Sequence, residues 1–286
     1  MATYGIIEIG GTKTDMAVGT SLADLSNPHR VSTTSPDETL GQIIHFFTDE
    51  EVDAMGVACF GPLELGAGHP DFGSIVSTPK PGWSGTRIHS RLTLALGVPV
   101  GIDTDVNGAA LGEGRWGAAI GMADFAYVTV GTGIGAGIVS HGRLIGGDRH
   151  PEMGHIVVSR LPGDELTGLC PYHGGCLEGM ASGPALEKRF GPPDTWAEND
   201  EVVDLVTHYL AQGMRNLVYT LAPQRIIVGG GVSTLPRFHD RLRDRLGVLL
   251  NGYPNPADLH QMISAPGLGE LSGLAGALLL AERAVA

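Results

Sequence analysis

The sequence predicts an α/β fold, because strand-like and helix-like segments alternate along its 286 residues. Short apolar runs that end in glycine, such as 54–61 and 225–231, indicate buried strands. The helical periodicity of 201–222 indicates a long helix. The 44 glycines are well above the usual share, which predicts many sharp turns or close approaches of the backbone to a ligand.

The first part of the chain predicts a hairpin, then a helix, a strand, and a strand that runs directly into a helix. The first helix has a strong start signal, because Pro36 lies in its first turn and Glu38 follows Ser35 by three residues. The predicted segments are strands at 4–11 and 14–20, a helix at 35–47, a strand at 54–61 and a strand–helix unit at 98–117.

The rest of the chain starts with a second hairpin whose strands are joined by a glycine turn, beginning at Phe125. A helix, a strand and two more helices then complete the alternation. The predicted segments are a helix at 201–222, a strand at 225–231 and helices at 235–250 and 270–284.

Charge and composition exclude several classes of protein. A net charge of −13 argues against binding to a nucleic-acid backbone, which needs clusters of Lys and Arg. No apolar run approaches the ~20 residues of a membrane-spanning helix, and the first residues lack the basic and apolar regions of a signal peptide. With only three cysteines, we therefore expect a cytoplasmic protein in which clustered Cys and His bind metal and do not form disulfides.

Two similar glycine turns suggest two related lobes. The segments 9–12 and 130–133 each follow a strand and precede another strand. Adjacent N–H groups without intervening side chains can wrap an anion such as phosphate. The alternative is that both segments are simply tight hairpins, but their duplication favours a phosphate clamp.

Two other phosphate motifs do not fit. A P-loop needs Gly-Lys-Ser/Thr, whereas 10–13 reads GGTK. The segment 131–137, GTGIGAG, resembles a dinucleotide fingerprint with Glu152 at a suitable distance for a ribose hydroxyl. That fingerprint requires a helix after the glycines, and the β-branched residues that follow predict a strand.

Taken together, IEIGGTK, TPKPGW, DTDVNGAALGE, GTGIGAGIV, EMGH and CPYHGGCLEG resemble the ROK family of sugar kinases, and most of all its bacterial fructokinase branch. TPKPGW and CPYHGGCLEG are specific to that branch. The resemblance implies an actin-like ATPase (ribonuclease-H-like) fold with two lobes around a cleft, and ATP-dependent phosphorylation of a hexose, D-fructose to fructose 6-phosphate. It places one lobe at 1–116 plus 272–286 and the other at 117–271.

Phosphoryl transfer needs a polyphosphate clamp, a divalent cation and a carboxylate that accepts the proton of the sugar hydroxyl. The resemblance implies that Asp105 is this general base, at a strand-to-helix junction where the structural alternative is a helix N-cap. Asp103 is the weaker candidate. Two departures are notable: Glu8 replaces the family's Asp but can still hold a water bound to Mg²⁺, and Thr104 replaces an Asn of glucose-preferring members, which favours fructose.

The remaining binding residues follow from the glycine turns and the resemblance. Each of these roles has a structural alternative. Glu152 and Glu178 can simply be exposed charges, and Lys13 can simply be solvated. The glycines at 229–231 can form a plain βα turn that binds no adenosine. We expect sugar contacts from Gly61, Asn107, Glu152, His155 and Glu178, and nucleotide or phosphate contacts from Gly10, Gly11, Thr12, Lys13, Gly131, Thr132, Gly133, Gly229, Gly230 and Gly231.

Two of the three cysteines lie in one seven-residue segment, CPYHGGC. The segment does not have the C-x-x-C spacing of a redox loop. A chance arrangement would also have to account for the presence of His155 and Glu178. His155, Cys170, His173 and Cys176 form the Cys₂His₂ set that Zn²⁺ binds tetrahedrally. The family form has three cysteines, and here His173 replaces one of them within a shorter loop. We predict a structural zinc that holds the sugar-binding residues, while Cys59 is a core residue.

Other functions remain as alternatives. These are a kinase for mannose or another hexose, and a non-catalytic sugar-sensing regulator of the ROK type. A transcriptional repressor would carry a helix-turn-helix segment before the first glycine turn, and a sensor would lack the base at Asp105. Acetate-type and glycerol-type kinases share the fold but lack the Cys/His loop. The expected partners are therefore a hexose and ATP, in a homodimer without nucleic acid or membrane.

Overall fold

Short apolar runs form strands throughout the computed structural model, which describes residues 1–25, 28–146, 149–253 and 258–286. The predicted buried strand at 54–61 is confirmed, and all six of its strand residues are buried. The strands of the described residues are β1 Tyr4–Ile9, β2 Lys13–Gly19, β3 His29–Ser32, β4 Ala54–Cys59, β5 Val100–Thr104, β6 Phe125–Val130, β7 Ile134–Ser140, β8 Arg143–Leu144, β9 Arg225–Gly229 and β10 Ile263–Ser264.

The helices begin at the predicted start signals or close to them. Ser35 caps the first helix, because its side chain accepts the Glu38 N–H at 3.4 Å. The helix predicted at 235–250 begins three residues late, since Arg237 has a left-handed φ of 59°. The helices are α1 Pro36–Phe47, α2 Ile88–Leu96, α3 Asp105–Trp116, α4 Leu177–Ala181, α5 Gly183–Phe190, α6 Asp200–Leu221, α7 Phe238–Leu250, α8 Leu259–Met262 and α9 Ser272–Ala284.

The chain divides into two compact units. The first comprises Met1–Ile120, Ile145–His150 and Gly267–Ala286, and the second comprises Gly121–Leu144 and Pro151–Pro266. The functional lobes predicted from the sequence, at 1–116 plus 272–286 and at 117–271, stay a prediction. No helix within the described ranges is both long and apolar enough to cross a membrane.

The sheet of the first unit has the strand order β3-β2-β1-β4-β5. The predicted hairpin is confirmed, because β1 pairs antiparallel with β2. The strands β1, β4 and β5 run parallel, so their carboxyl ends lie at one edge of the sheet. Glu8 near the end of β1 and Asp105 just after β5 therefore belong to the same edge.

The sheet of the second unit follows the same plan, with the order β10-β9-β6-β7-β8. A glycine turn again joins an antiparallel hairpin, β6 and β7, and β9 adds parallel to β6. Because the glycines at 131–133 lead into strand β7 and not into a helix, the dinucleotide fingerprint is excluded here. The two units thus present one glycine turn each, at 10–12 and at 131–133.

Candidate active site and metal site

Asp105 is the first residue of α3 and follows the parallel strand β5 directly. Thr104 caps this helix, because its Oγ1 accepts the Asn107 N–H at 3.2 Å. The N-cap of α3 is therefore Thr104 and not Asp105, for which an N-cap was the structural alternative to a general base. The Asp105 carboxylate accepts the Val106 N–H at 2.8 Å, and burial raises its pKa to about 6. A carboxylate with a pKa near neutrality suits a general base.

Asp103, the weaker candidate for the base, accepts hydrogen bonds at the start of the same helix. Its Oδ1 accepts the Thr104 N–H and the Asn107 Nδ2–H, both at 2.7 Å. Asn107 is only 3% exposed, so its amide is fixed inside the first turn of α3. Asn107 Oδ1 is buried and has no hydrogen-bond partner in the described part of the chain.

Gly61, the remaining sugar candidate of the first unit, follows the carboxyl end of β4. A side chain built on it would lie 3.2 Å from the Leu63 nitrogen and 3.4 Å from the His150 ring. Leu63 N–H donates to His150 Nε2 at 3.2 Å, so His150 borders this turn. The sequence interpretation did not include His150.

Glu8 lies near the end of β1, in a negatively charged environment. Burial, together with the nearby carboxylates of Asp105 and Asp15, raises the pKa of Glu8 to about 8, although the cations Lys13 and Arg30 act in the opposite direction. Its side chain occupies the space beside Gly273 of α9, where an added Cβ would lie 2.2 Å from the Glu8 carboxyl carbon. Carboxylate oxygens are the ligands that Mg²⁺ prefers, so the donor type fits the predicted cation.

The first glycine turn is closed by the Gly10 N–H, which donates to the Lys13 carbonyl at 2.9 Å. Lys13 Nζ lies 3.6 Å from an Asp15 carboxylate oxygen and 3.7 Å from one of Glu270, so the Lys13 ammonium is paired and not simply solvated. Arg30 shares both of these carboxylates. A phosphate that approached Lys13 would therefore compete with two carboxylates.

The second glycine turn is closed by the Gly131 N–H, which donates to the Gly133 carbonyl at 2.9 Å. Two groups outside the hairpin also hold it. The Gly183 N–H donates to the Gly131 carbonyl at 2.7 Å, and Glu178 Oε2 accepts the Ile134 N–H at 2.9 Å. Glu178 is therefore tied to the end of this turn, a contact that the sequence did not predict.

We expect Glu178→Ala to reduce the unfolding free energy by about 1 kcal/mol more than Glu178→Gln does, because alanine leaves the Ile134 N–H without an acceptor. Glutamine keeps a side-chain carbonyl at the same reach. Thermal unfolding of both variants tests this, and equal melting temperatures would contradict the importance of the hydrogen bond.

The glycines at 229–231 have different surroundings. An added Cβ at Gly229 would lie 2.3 Å from the Tyr127 hydroxyl oxygen, and one at Gly230 would lie 2.5 Å from the Val130 carbonyl oxygen. Packing thus accounts for both glycines. Gly231 has open space around its Cα, so it is the position of this turn that is free to face a ligand.

The four predicted zinc ligands come together in the second unit. One ligand atom from each of His155, Cys170, His173 and Cys176 lies within 4.8 Å of the others. His155 Nδ1 is 3.6 Å from both sulfur atoms, and His173 Nδ1 is 3.7 Å from Cys170 Sγ. Tetrahedral zinc with ordinary Zn–S and Zn–N bonds separates S and N by about 3.6 Å. The donor set and its spacing therefore fit Zn²⁺.

The loop that carries three of these ligands is closed on itself. Cys170 and Gly174 exchange two backbone hydrogen bonds, at 3.2 and 2.9 Å. Cys176 then caps the short helix α4, which begins at Leu177 and carries Glu178 in its first turn. All three cysteines of the chain are free thiols. The loop thus joins the metal ligands directly to a predicted sugar ligand.

His155 faces two ways. Its Nδ1 points to the cysteines, while its Nε2 lies 4.0 Å from a carboxylate oxygen of Glu152. Glu152 precedes the 3₁₀ turn Met153–His155, and His155 is its last residue. One imidazole can therefore bind the metal through one nitrogen and a sugar hydroxyl through the other, as its two predicted roles require.

With this geometry in place, comparison with known proteins decides the family. The family model described as "ROK family" matches residues 4–284. The chain belongs to the ROK family. The family resemblance predicted from the sequence motifs is confirmed.

Relatives of this ROK chain include the fructokinase of Pediococcus pentosaceus, which is 40% identical over 98% of both chains. The fructokinase of Zymomonas mobilis subsp. mobilis is 42% identical over 97% of this chain and 96% of its own. Among solved structures, a ROK family glucokinase from Streptomyces griseus in complex with glucose and AMPPNP superposes with a TM-score of 0.80. It is 26% identical and covers 98% of this chain and 99% of its own. The predicted fold class, α/β of the actin-like ATPase type, is confirmed.

Proposed function

We propose that this ROK protein transfers a phosphoryl group from ATP to D-fructose and yields fructose 6-phosphate. The observation that carries the proposal is the half-buried Asp105 carboxylate, with a pKa of about 6, at the carboxyl edge of the sheet. Full-length relatives named fructokinase support the choice of sugar.

Asp105 accepts the proton of the attacking hydroxyl, since its carboxylate ionises close to neutral pH. Glu8 would hold a magnesium ion through water, and such a cation would supply neutralisation of the charge on the phosphates. The glycine turns at 10–12 and 131–133 offer backbone N–H groups to phosphate oxygens, with Lys13 beside the first turn. Gly231, with its neighbours Gly229 and Gly230, faces the adenosine.

Fructose binds through groups that accept and donate hydrogen bonds to several hydroxyls. The groups proposed for this role are Gly61, Asn107, Glu152, His155 and Glu178. Cys170, His173, Cys176 and His155 Nδ1 would hold a zinc ion, and this contact would fix the ring of His155 and leave its Nε2 for the sugar. With four protein ligands the zinc would be structural.

The protein acts as a homodimer in the cytoplasm. The three free cysteines fit a reducing compartment. Sedimentation of the purified protein, with a monomer as the contradicting result, tests the dimer.

We expect kcat/KM to be highest for fructose, lower for mannose and much lower for glucose. A site built to bond particular hydroxyls rejects analogues that leave its buried polar groups unpaired. A coupled assay of ATP turnover with each hexose measures the three values. A higher kcat/KM for glucose would contradict the choice of fructose and leave hexose phosphorylation in place.

A further inference from the structure

The segment Thr78–Trp83, TPKPGW, distinguishes this chain by sequence, yet none of the proposed contacts to sugar or nucleotide involves it. In the structure it forms a closed loop. Thr78 N–H donates to Ser84 Oγ at 3.1 Å, and Ser84 Oγ–H donates back to the Thr78 carbonyl at 3.2 Å. Trp83 is fully buried, and its Nε1–H donates to the Thr34 carbonyl at 2.8 Å.

Lys80 lies in the middle of this loop between two prolines. Pro79 and Pro81 fix their own φ angles, and Pro81 also disfavours a helical conformation at Lys80. The backbone of Lys80 is thereby restricted before its side chain makes any contact. A restricted backbone allows a long side chain to be aimed with little further loss of entropy.

The Lys80 ammonium reaches the first glycine turn. Its Nζ donates to the Gly11 carbonyl at 2.7 Å and to the Thr33 carbonyl at 3.1 Å. Thr33 N–H in turn donates to the Thr12 carbonyl at 2.9 Å. The carbonyls of Gly11 and Thr12, which are successive in the turn, are therefore both held by partners outside the hairpin.

Holding the Gly11 carbonyl also orients the next N–H group. In a planar trans peptide, the C=O of one residue and the N–H of the next point in opposite directions. Because the Gly11 carbonyl points to Lys80, the Thr12 N–H points to the opposite side of the turn. Among the described residues, the Thr12 N–H donates to no protein acceptor.

The charge of Lys80 is not neutralised locally. No carboxylate oxygen of the described residues lies within 4.0 Å of Lys80 Nζ, in contrast to Lys13, which has two such neighbours. Partial burial lowers the pKa of the Lys80 ammonium, without a contribution from a neighbouring charged group. A positive charge behind the turn favours an anion on its other side.

We propose that Lys80 is a positioning residue for phosphoryl transfer: it fixes the Gly11–Thr12 peptide so that the Thr12 N–H faces a phosphate of the nucleotide. This inference rests on the proposed kinase function. It assigns TPKPGW to the support of the phosphate turn, whereas the sugar pocket is made by other segments.

The test is Lys80→Met, which removes the ammonium and keeps an unbranched apolar side chain. We expect the dissociation constant of Mg·AMPPNP, measured by titration calorimetry without sugar, to rise about tenfold, the loss of one charged hydrogen bond. The KM for ATP should rise similarly, while the KM for fructose stays within about twofold. Lys80→Arg, which keeps the charge and the donors, should recover part of the affinity.

Lys188→Met is the matched control, because Lys188 is exposed on α5 and should leave AMPPNP binding unchanged. Unchanged AMPPNP affinity in a folded Lys80→Met protein, or a rise confined to the KM for fructose, would overturn the proposal. If Lys80→Met does not fold, Lys80→Gln takes its place. Equal affinities of Lys80→Arg and Lys80→Gln for AMPPNP would then overturn the proposal. A wild-type protein that binds AMPPNP but phosphorylates no hexose refutes only the kinase function.

Discussion

Asp105→Asn should lower kcat with fructose by about 10²–10⁴-fold, because the variant keeps the shape of the side chain and loses the proton acceptor. Thr104 caps α3, so the variant keeps the N-cap of this helix. Steady-state kinetics measure kcat, and calorimetry with AMPPNP shows whether nucleotide binding is retained.

Asp103→Asn is the matched control, since it changes a neighbouring carboxylate of the same segment that supports Asn107. It should reduce kcat far less than Asp105→Asn does. Near-normal turnover of Asp105→Asn would remove Asp105 from the mechanism and leave hexose phosphorylation in place.

The pH dependence of kcat/KM should have an acidic limb with an apparent pKa near 6. The carboxylate of Asp105 accepts a proton only when ionised, and its pKa is raised to about 6 by burial. Activity should therefore fall as the pH drops through this value. A flat profile between pH 5 and 7, measured at constant ionic strength, would contradict the assignment of Asp105 as the base.

Removal of the metal should have the second large effect. The purified protein should contain about one zinc per chain, and chelation should lower its melting temperature by roughly 10 °C. A ligand at a thousand times its dissociation constant stabilises the folded state by about 4 kcal/mol, which corresponds to several degrees in a protein of this size. Elemental analysis and thermal unfolding measure both quantities.

Cysteine variants separate the metal site from ordinary core packing. Cys176→Ala should abolish zinc binding, because it removes one of the two thiolates beside His155 Nδ1. Cys59→Ala, in the buried strand β4, should keep the full zinc content and is the control. Full activity of a protein that contains no zinc would refute the metal site.

Local sequence signals predicted correctly those features that depend only on interactions within one element or one turn. The Ser35 cap, the two glycine-turn hairpins and the alternation of strands and helices depend on neighbours a few residues apart, and all were predicted. The late start of α7 depends on the left-handed conformation of Arg237, which no residue type in 235–237 requires.

Contacts between distant segments were predicted only where the chemistry of the side chains limited the choice. Two cysteines and two histidines form a common set of zinc ligands, so their presence predicted that His155 lies close to the loop that starts at Cys170. Lys80 carries no such restriction, since an ammonium can bond any carbonyl. Its contact with Gly11, 69 residues away, therefore became visible only in the structure.

The sequence by itself determined the α/β class, the family, the candidate base and the metal-ligand set, because residue type and local spacing encode them. The tertiary structure decided that Thr104, and not Asp105, is the N-cap of α3, that Glu178 holds Ile134, and that Lys80 holds Gly11. The physical reason is that a hydrogen bond across many residues forms only after packing has brought both groups together, and packing depends on the whole chain.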